Sequence, residues 1–293
     1  MSTLSFKIVS LFDEKDLLNL IPYLPIYVSY IIAGNGLFPY FCKNIVMLNT
    51  IFTHRSIRKY KPDAVAPDLL DKILEAGTRA STTGNMQVYS MIVSTDEEIR
   101  KQLWEQHFKQ NMVLEAPVHI TFCADLNRFE KWCRQREAEP GYRNFLWFLN
   151  AATDALLASQ NVCLAAEAHG LGICYLGTAV YNADRLIGIL DLPDGVIPVA
   201  AIVMGYPAEN PGLTDRLPLE AVVHREKYED YDPQRIDRLY REKESLDATR
   251  KLLEINNKPT LAQIFTDLRY TRKDNEFFSG KLLELLRKQG FLP

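Results

Sequence analysis

Residues 145–169 read FLWFLNAATDALLASQNVCLAAEAH, and this stretch decides the fold. It is rich in alanine and leucine and lacks proline and glycine, so it predicts one long helix. Gly170 follows directly, and glycine is the usual residue just past a helix C-terminus. The helix is apolar on more than one face. It must therefore be covered on several sides, which favours a central core helix or a helix at a dimer interface.

Short apolar runs and helical periodicities alternate along the rest of the chain. We predict strands at residues 88–94, 118–124, 173–176 and 196–204. Ala66-Pro67-Asp68 opens one helix, and the capping-box spacing from Thr95 to Glu98 opens another. Further helices are predicted near residues 182–190, 233–253 and 275–289. The pattern indicates one mixed α/β layer domain with a helical tail.

Composition excludes several classes of protein. The chain has 293 residues, 47% of them hydrophobic and 24% charged, which is ordinary for a globular protein. Its net charge of −3 gives no general reason to expect a nucleic-acid partner, so any anion site must come from local arginines and lysines. The five cysteines lack CxxC spacing, which predicts reduced thiols in a cytoplasmic protein. The histidines are scattered without ligand spacing, so no metal site is expected.

Residues 1–46 differ from the rest of the chain. No charged residue occurs from Leu17 to Cys42, a length that could span a bilayer. Prolines and glycines make this stretch a poor helix, and the acidic residues before it do not suit a signal peptide. Three interpretations stay open: an extension upstream of a natural start at Met47, which we favour, a membrane-proximal anchor, or a folded appendage. We therefore take residues 47–293 as the main domain and do not expect a membrane partner.

Two polar segments could bind a phosphorylated ligand. His54-Arg55-Ser56-Ile57-Arg58-Lys59-Tyr60 places two arginines three positions apart around a hydroxyl, which is the donor set that a phosphate monoester requires. The ordinary alternative is a solvated basic turn. Residues 210–218, NPGLTDRLP, form either a surface crossover loop or the source of one more cation for the same phosphate.

Two further segments could line the body of a ligand. Residues 81–87, STTGNMQ, offer clustered hydroxyl and amide groups suited to a polyhydroxyl or heterocyclic ligand, although such composition usually marks a polar loop. Residues 170–178, GLGICYLGT, contain glycines that would let the backbone approach a flat ligand. Their spacing is not that of a dinucleotide-binding GxGxxG motif.

Taken in order, these segments resemble the nitroreductase family of FMN enzymes, particularly the major oxygen-insensitive nitroreductases and flavin reductases. The resemblance runs from about Met47 to the C-terminus. Seven collinear segments carry it: HRSIRKY, STTGNMQ, FCADLNR, AEAHGLGICYLG, GYPAENP, DRLP and LLRKQGF. It implies an α+β fold with three α/β/α layers, in which helices flank a mixed sheet and a helical tail extends from the C-terminus. It also implies a homodimer with FMN at the subunit interface.

The function that the resemblance implies is an oxidoreductase. Such an enzyme moves hydride from NAD(P)H through FMN to nitroaromatic, quinone or flavin acceptors by ping-pong kinetics. The flavin performs the redox chemistry, so no residue is assigned as a proton-transferring catalyst. The alternative on the same fold is a flavin or related-ligand binding protein without turnover.

The resemblance also assigns residues to the cofactor phosphate and to its reduced ring. His54, Arg55, Ser56 and Arg216 belong to the phosphate end. Arg58 would stabilise the negative charge of the reduced flavin. In the family pattern a lysine precedes the loop arginine by two positions, whereas here Thr214 stands there and can donate only a neutral hydrogen bond.

The other residues that the resemblance assigns lie along the ribityl chain and the ring. Thr82, Thr83 and Asn85 would reach them from the second subunit. Gln110 would lie against the pyrimidine edge, and the backbone of Tyr175, Leu176 and Gly177 would pass over the ring.

Overall fold

The structure is a computed structural model that describes residues 49–293. Residues 53–293 form one compact unit. Of the other unit, residues 1–52, the structure describes one helical turn at residues 49–52. The three interpretations of residues 1–46 therefore concern a part of the chain outside the described residues. Within residues 49–293, no helix has the length and apolar composition that crossing a membrane would require.

Helices and strands occur wherever the sequence predicts them. The strands are β1 (Tyr89–Ser94), β2 (Val118–Asp125), β3 (Gly172–Leu176) and β4 (Val196–Gly205). The helices are α1 (Pro67–Gly77), α2 (Glu97–Gln106), α3 (Met112–Glu115), α4 (Asn127–Gln135), α5 (Phe145–Ala168), α6 (Ala183–Ile189), α7 (Pro233–Ser245), α8 (Asp247–Asn256), α9 (Leu261–Ile264) and α10 (Arg272–Lys288). The helix predicted over residues 233–253 is two helices, because the backbone of Leu246 is extended. Helices α3, α4 and α9 are additional to those predicted.

The four strands form one sheet in the order β1-β2-β4-β3, and each neighbouring pair is antiparallel. Among the described residues, parallel pairing is confined to a single bridge between Ser56 and Ile173. There the backbone N–H of Ile57 donates to the carbonyl of Ile173 at 2.8 Å. The bridge ties the predicted basic segment to the edge of β3.

Helices cover both faces of the sheet. Ile202 and Met204 of β4 pack in the same core cluster as residues of α1 and α5. The alternate residues Ala201 and Val203 pack on the opposite face, in a cluster with residues of α2, α3 and α6. Since side chains of a strand alternate between faces, the arrangement is three-layered. The α+β class and the three α/β/α layers are confirmed.

Helix α5 lies against the sheet through small residues. The residues that it buries completely include Ala151, Ala155, Ala158 and Ala166. Small side chains let a helix backbone approach a sheet closely. The left-handed Gly170, with φ of 79°, follows the helix as predicted. The sheet covers α5 on one side and α1 covers it on another, which agrees with the prediction of a central helix.

The N-cap of α2 corrects one prediction. The carboxylate of Asp96 accepts a hydrogen bond from the backbone N–H of Ile99 at 2.9 Å. Asp96 is therefore the cap, and the predicted Thr95 is one residue outside the helix. An aspartate cap satisfies the same backbone donor and adds a negative charge at the positive end of the helix.

Gly172 has a different role from the one that the sequence indicated. A Cβ atom there would lie 2.6 Å from Cγ1 and 2.8 Å from Cβ of Ile57, which is itself buried. The glycine therefore makes room for Ile57 beneath the parallel bridge, and the expectation that it admits a flat ligand was wrong. Gly177, at the other end of β3, has open space around it.

Two imidazoles are buried between β2 and the end of α2. His107 and His119 are both 0% exposed, and their Nε2 atoms are 3.2 Å apart. The Nδ1 atom of His107 lies 2.6 Å from Oγ1 of Thr178. Burial lowers the pKa of His107 from 6.5 to about 4. Burial, His107 and Arg100 together hold the pKa of His119 well below 6.5.

We expect Gly172→Ala to lower the free energy of unfolding by about 1–3 kcal/mol, because Ile57 is fixed by the bridge and cannot move away from the new methyl group. Urea denaturation measures the effect. Gly188→Ala is the matched control, since Gly188 lies in α6 with no atom within 4 Å of an added Cβ. Its replacement should be neutral or slightly stabilising. Equal shifts of the two urea midpoints would contradict the assigned role of Gly172.

We expect the protein to lose stability as the pH falls from 6.5 towards 4. In that window the unfolded chain protonates His107, whose pKa there is 6.5, while the folded protein keeps it neutral with a pKa of about 4. Unfolding thus takes up a proton, and the loss from this residue is on the order of 3 kcal/mol. His107→Asn should make the decline shallower, whereas replacing the exposed His169 by asparagine should not. If the free energy of unfolding fell equally steeply with pH in wild type and in both variants, His107 would not be the source of the pH dependence.

Candidate functional site

The predicted polar loop at residues 81–87 is anchored to α5 by a buried carboxylate. Oδ1 of Asp154, which is 1% exposed, accepts from the backbone N–H of Thr83 at 2.9 Å and from its hydroxyl at 3.3 Å. Oδ2 accepts from the backbone N–H of Val88 at 3.4 Å. Sequence reasoning missed Asp154. The sequence did contain one indication of its importance: Asp154 is the one charged residue among the first 22 residues of an apolar helix.

The loop itself has an unusual backbone. Gly84, Asn85 and Gln87 all have positive φ, from 54° to 58°. This left-handed conformation is easy for glycine and tolerated by asparagine, but it is uncommon for other residues. Thr82 is extended and half-buried just before the turn, and Asn85 is exposed at its tip. Asp154 thus fixes a tight polar turn that presents Asn85 to solvent.

His54 is anchored near the other end of α5. Its Nδ1 atom lies 2.8 Å from Oε1 of Glu167. Burial raises the pKa of the Glu167 carboxyl, while the adjacent His54 and Arg55 oppose that shift. Glu167 was not singled out from the sequence, because a glutamate near a helix C-terminus carries no motif.

Arg55 joins the basic segment to the loop at residues 210–218. Its Nη1 donates to Oδ1 of Asn210 at 2.6 Å and to the carbonyl of Pro211 at 3.1 Å, and its Nε donates to the carbonyl of Thr53. Within residues 49–293, Nη2 has no hydrogen-bond acceptor, and no carboxylate forms an ion pair with this side chain. Two N–H donors therefore have no partner within the described part of the chain and could bind an external anion.

The other predicted cations are arranged differently. The side chain of Arg58 is exposed, and no residue in the described part of the chain hydrogen-bonds to it. Its backbone N–H and that of Lys59 both donate to Oε1 of Glu209. Arg216 is exposed and donates to the carbonyls of Thr214 and Asp215 in its own loop. The structure therefore brings Arg55 to the start of this loop but shows no contact between Arg55 and Arg216.

The predicted ring-contact segment begins inside the protein and ends at its surface. The hydroxyl of Tyr175 pairs with Oγ of Ser159 on α5 at 2.7 Å, and burial raises the pKa of this phenol. Leu176 is 1% exposed. The side chain of Leu176 therefore points into the core, whereas that of Tyr175 is half-buried. Gly177 is exposed and opens a short turn, Gly177–Ala179.

Gln110 is linked to that turn through His107. Its Nε2 donates to the carbonyl of His107 at 3.0 Å, and the His107 side chain reaches Thr178. Ser56 is half-buried and held at β3 by its parallel bridge. The structure thus joins the predicted residues in two groups: His54, Arg55 and Ser56 at the base of β3, and Gln110 and Gly177 at its end.

None of these residues lines the open cavity of about 330 Å³ that lies between β1, α2 and α6. That cavity is bounded by Ile92, Ser94, Asp96, Ile99 and Leu190, among others. Within residues 49–293, no group of three or more potential ligand side chains could hold a metal ion.

Comparisons with known proteins agree on one family. The model of the Nitroreductase family matches residues 51–206, which include the basic segment, the 81–87 loop and the 170–178 segment. A protein named FMN reductase (NADPH) from Bacillus subtilis is 33% identical over 183 residues, which cover 62% of this chain and 74% of that protein.

Solved structures extend the likeness over most of the described residues. An oxidoreductase from Bacteroides fragilis superposes with a TM-score of 0.82 at 52% identity, covering 84% of this chain and 100% of the other. The NfrA1 nitroreductase of B. subtilis superposes with a TM-score of 0.75 at 27% identity, covering 84% and 98%. The resemblance seen in the sequence is confirmed, and this chain belongs to the nitroreductase family.

Proposed function

We propose that this chain is an FMN-dependent oxidoreductase that takes hydride from NAD(P)H and reduces small-molecule acceptors such as quinones, nitroaromatics or free flavin. Membership of the nitroreductase family and the likeness to an FMN reductase that uses NADPH support the cofactor and the class of reaction. The observation that carries the proposal is the guanidinium of Arg55, whose Nη2 donors have no acceptor within residues 49–293 and could bind an external anion.

The residues around Arg55 suit a phosphate monoester. The Nη1 and Nε bonds hold the guanidinium rigidly, so its two remaining donors have a fixed direction. Ser56 adds a neutral hydroxyl, which lies against the thiol of Cys174 in this structure. The protein as a whole carries a net charge of −3, so phosphate affinity must come from this local set of donors.

Arg58 has a different part in the proposal. FMN, when bound, would supply the two-electron redox chemistry, receiving hydride from the nicotinamide and passing electrons to the acceptor. The reduced group would carry negative charge at the pyrimidine end of its ring system. Arg58 is exposed and has no side-chain hydrogen bond among the described residues, so its charge can stabilise that end.

The remaining contacts fall at the ring. The open space around Gly177 allows a flat ring to lie against the backbone at the end of β3. Gln110 would meet the pyrimidine edge from the neighbouring loop. Nicotinamide and acceptor would occupy the same face of the bound ring in turn, which is the basis of a ping-pong mechanism. We expect the enzyme to act in the cytoplasm, where buried thiols such as Cys123 and Cys163 stay reduced.

A second copy of the chain would complete the site. Helix α5 exposes a stripe of large apolar side chains in the single chain: Phe145, Leu146, Leu149, Leu156 and Leu157 are 44–64% exposed. An apolar stripe of this kind on a central helix marks a protein interface. The helix positions that anchor Thr83 and His54 are 13 residues apart, a separation of about 20 Å along the axis. We therefore assign Thr82, Thr83 and Asn85 to the partner's FMN.

The purified protein is expected to be yellow and to release about one FMN per subunit on denaturation. With FMN bound it should oxidise NADPH or NADH when a quinone or nitroaromatic acceptor is added, and a panel of acceptors run with both nicotinamides would rank them. A colourless protein that does not take up added FMN would refute the proposal. Bound FMN without turnover would favour a flavin-binding protein instead.

Arg55→Gln supplies the matching test of the phosphate site. Loss of a charge-assisted contact should weaken FMN binding about 10- to 100-fold, as measured by quenching of FMN fluorescence. Arg272→Gln is the control, because Arg272 is 91% exposed and pairs with Glu276 on the surface of α10. Its replacement should leave FMN affinity as in wild type.

The double variant Leu149→Glu, Leu156→Glu is expected to convert a dimer into monomers, because charges on the α5 stripe would have to be buried at the interface. Light scattering after size exclusion measures the mass, and FMN binding should fall with dimerisation. Ile255→Glu is the control, since Ile255 is 82% exposed on α8 and lies outside the stripe. A double variant that remains dimeric would show that the α5 stripe is not the interface.

A further inference from the structure

His107 lies where two loops of the site meet. Its backbone carbonyl accepts from Nε2 of Gln110 at 3.0 Å. Its ring Nδ1 lies 2.6 Å from Oγ1 of Thr178 in the Gly177–Ala179 turn. One buried residue therefore contacts both the loop that carries Gln110 and the turn that begins at Gly177.

The loop between His107 and Gln110 has a strained backbone. Phe108 and Lys109 have φ values of 54° and 56°, so two consecutive residues other than glycine are left-handed. Such a conformation persists only where the surrounding contacts hold it, and it is concentrated at functional sites. A second bond across the same junction runs from Nδ2 of Asn182 to the carbonyl of Gln106 at 2.7 Å.

His119 fixes the protonation of the His107 ring. Nδ1 of His119 is buried and has no hydrogen-bond partner among the described residues. An unpaired acceptor costs less than an unpaired donor, so Nδ1 carries no proton and Nε2 carries it instead. His119 then donates to Nε2 of His107 across 3.2 Å. His107 must therefore carry its own proton on Nδ1 and donate it to Thr178.

We propose that His107 is a positioning residue of the flavin site, which joins the Gln110 loop to the Gly177–Ala179 turn through its hydrogen bond to Thr178. This inference rests on the proposed function, in which Gln110 and Gly177 contact the ring of FMN. His107 does not touch the ring. It sets the spacing between two groups that do, and His119 keeps it in the tautomer that donates to Thr178.

The same hydrogen bond also fixes the orientation of the Thr178 hydroxyl. Because its oxygen accepts from His107, its own proton is directed away from the imidazole. The arrangement requires His107 to be neutral, since a second proton on its Nε2 would face the Nε2 proton of His119.

Four variants separate positioning from general packing. His107→Asn keeps an amide donor near the position of Nδ1, whereas His107→Gln carries its amide out towards Nε2 and loses the contact with Thr178. Thr178→Ser keeps the hydroxyl, and Thr178→Val replaces it by a methyl group of similar volume. Thermal melting establishes that each variant is folded.

Each variant is measured in two ways. The first is FMN affinity and the midpoint potential of the bound flavin. The second is amide hydrogen exchange at residues 107–110 and 177–179 in protein without added FMN. We expect His107→Gln and Thr178→Val to weaken FMN binding about tenfold, equivalent to one hydrogen bond, to shift the potential and to speed exchange in both loops. His107→Asn and Thr178→Ser should recover most of each effect.

The outcomes distinguish this inference from the function on which it rests. If wild-type protein binds FMN but the Gln and Val variants match it in affinity, potential and exchange, the positioning role is overturned. The positioning role would also be overturned if His107→Asn and His107→Gln lost FMN affinity equally and in proportion to a lower melting temperature. That result would show that His107 contributes only to packing. If wild-type protein binds no FMN, the proposed function and the flavin role of His107 both fail, and exchange still decides whether His107 joins the two loops.

Discussion

Close contact between α5 and the sheet is the constraint on which the rest of the structure depends. Alanines at the interface bring the helix backbone near the strands, and three polar side chains of the helix then lie at fixed positions. Asp154 holds the 81–87 loop, Ser159 holds Tyr175, and Glu167 holds His54. A larger residue at one of the alanines would push the helix outward and displace all three anchors together. The packing of one helix thus sets the geometry of three segments that are far apart in sequence.

The opposite layer organises the other half of the site. There the sheet is covered by α2, α3 and α6, and the buried pair of imidazoles links β2 to the turn after β3. Strand β3 lies at the edge of the sheet, with the basic segment paired along its outer side. Its C-terminal end therefore lies where the two helical layers and the sheet edge meet. The turn after β3 is thereby linked to the loop of Gln110 through His107.

Local sequence patterns predicted the elements but not the contacts between them. The strands were predictable because β2 and β4 are buried almost throughout and read as apolar runs, and α5 because its end is marked by Gly170. Asp154 was missed because a single aspartate in an apolar helix does not reveal which loop it will anchor. The pairing of His107 with His119 depends on how α2 packs over β2, and nothing in their spacing along the chain indicates it. Gly172 was misinterpreted because the sequence shows only that a neighbour approaches the backbone closely there. A glycine is needed equally whether that neighbour is the Ile57 side chain or a ligand.

The basic segment carries more of the proposed phosphate site than a count of arginines would suggest. In the loop at residues 210–218, Nη1 of Arg216 is bonded to the carbonyls of Thr214 and Asp215, and Asp215 is itself paired with Lys243, which holds the pKa of that carboxyl below its usual range. Thr214 stands where the family pattern has a lysine, so the loop contributes one cation fewer. Arg55 is held by Asn210 and Pro211, and its two Nη2 donors are unused among the residues that the structure describes. A guanidinium that is already fixed loses little freedom when it binds an anion, so in the proposed site we expect Arg55 to contribute more to phosphate affinity than the exposed Arg216.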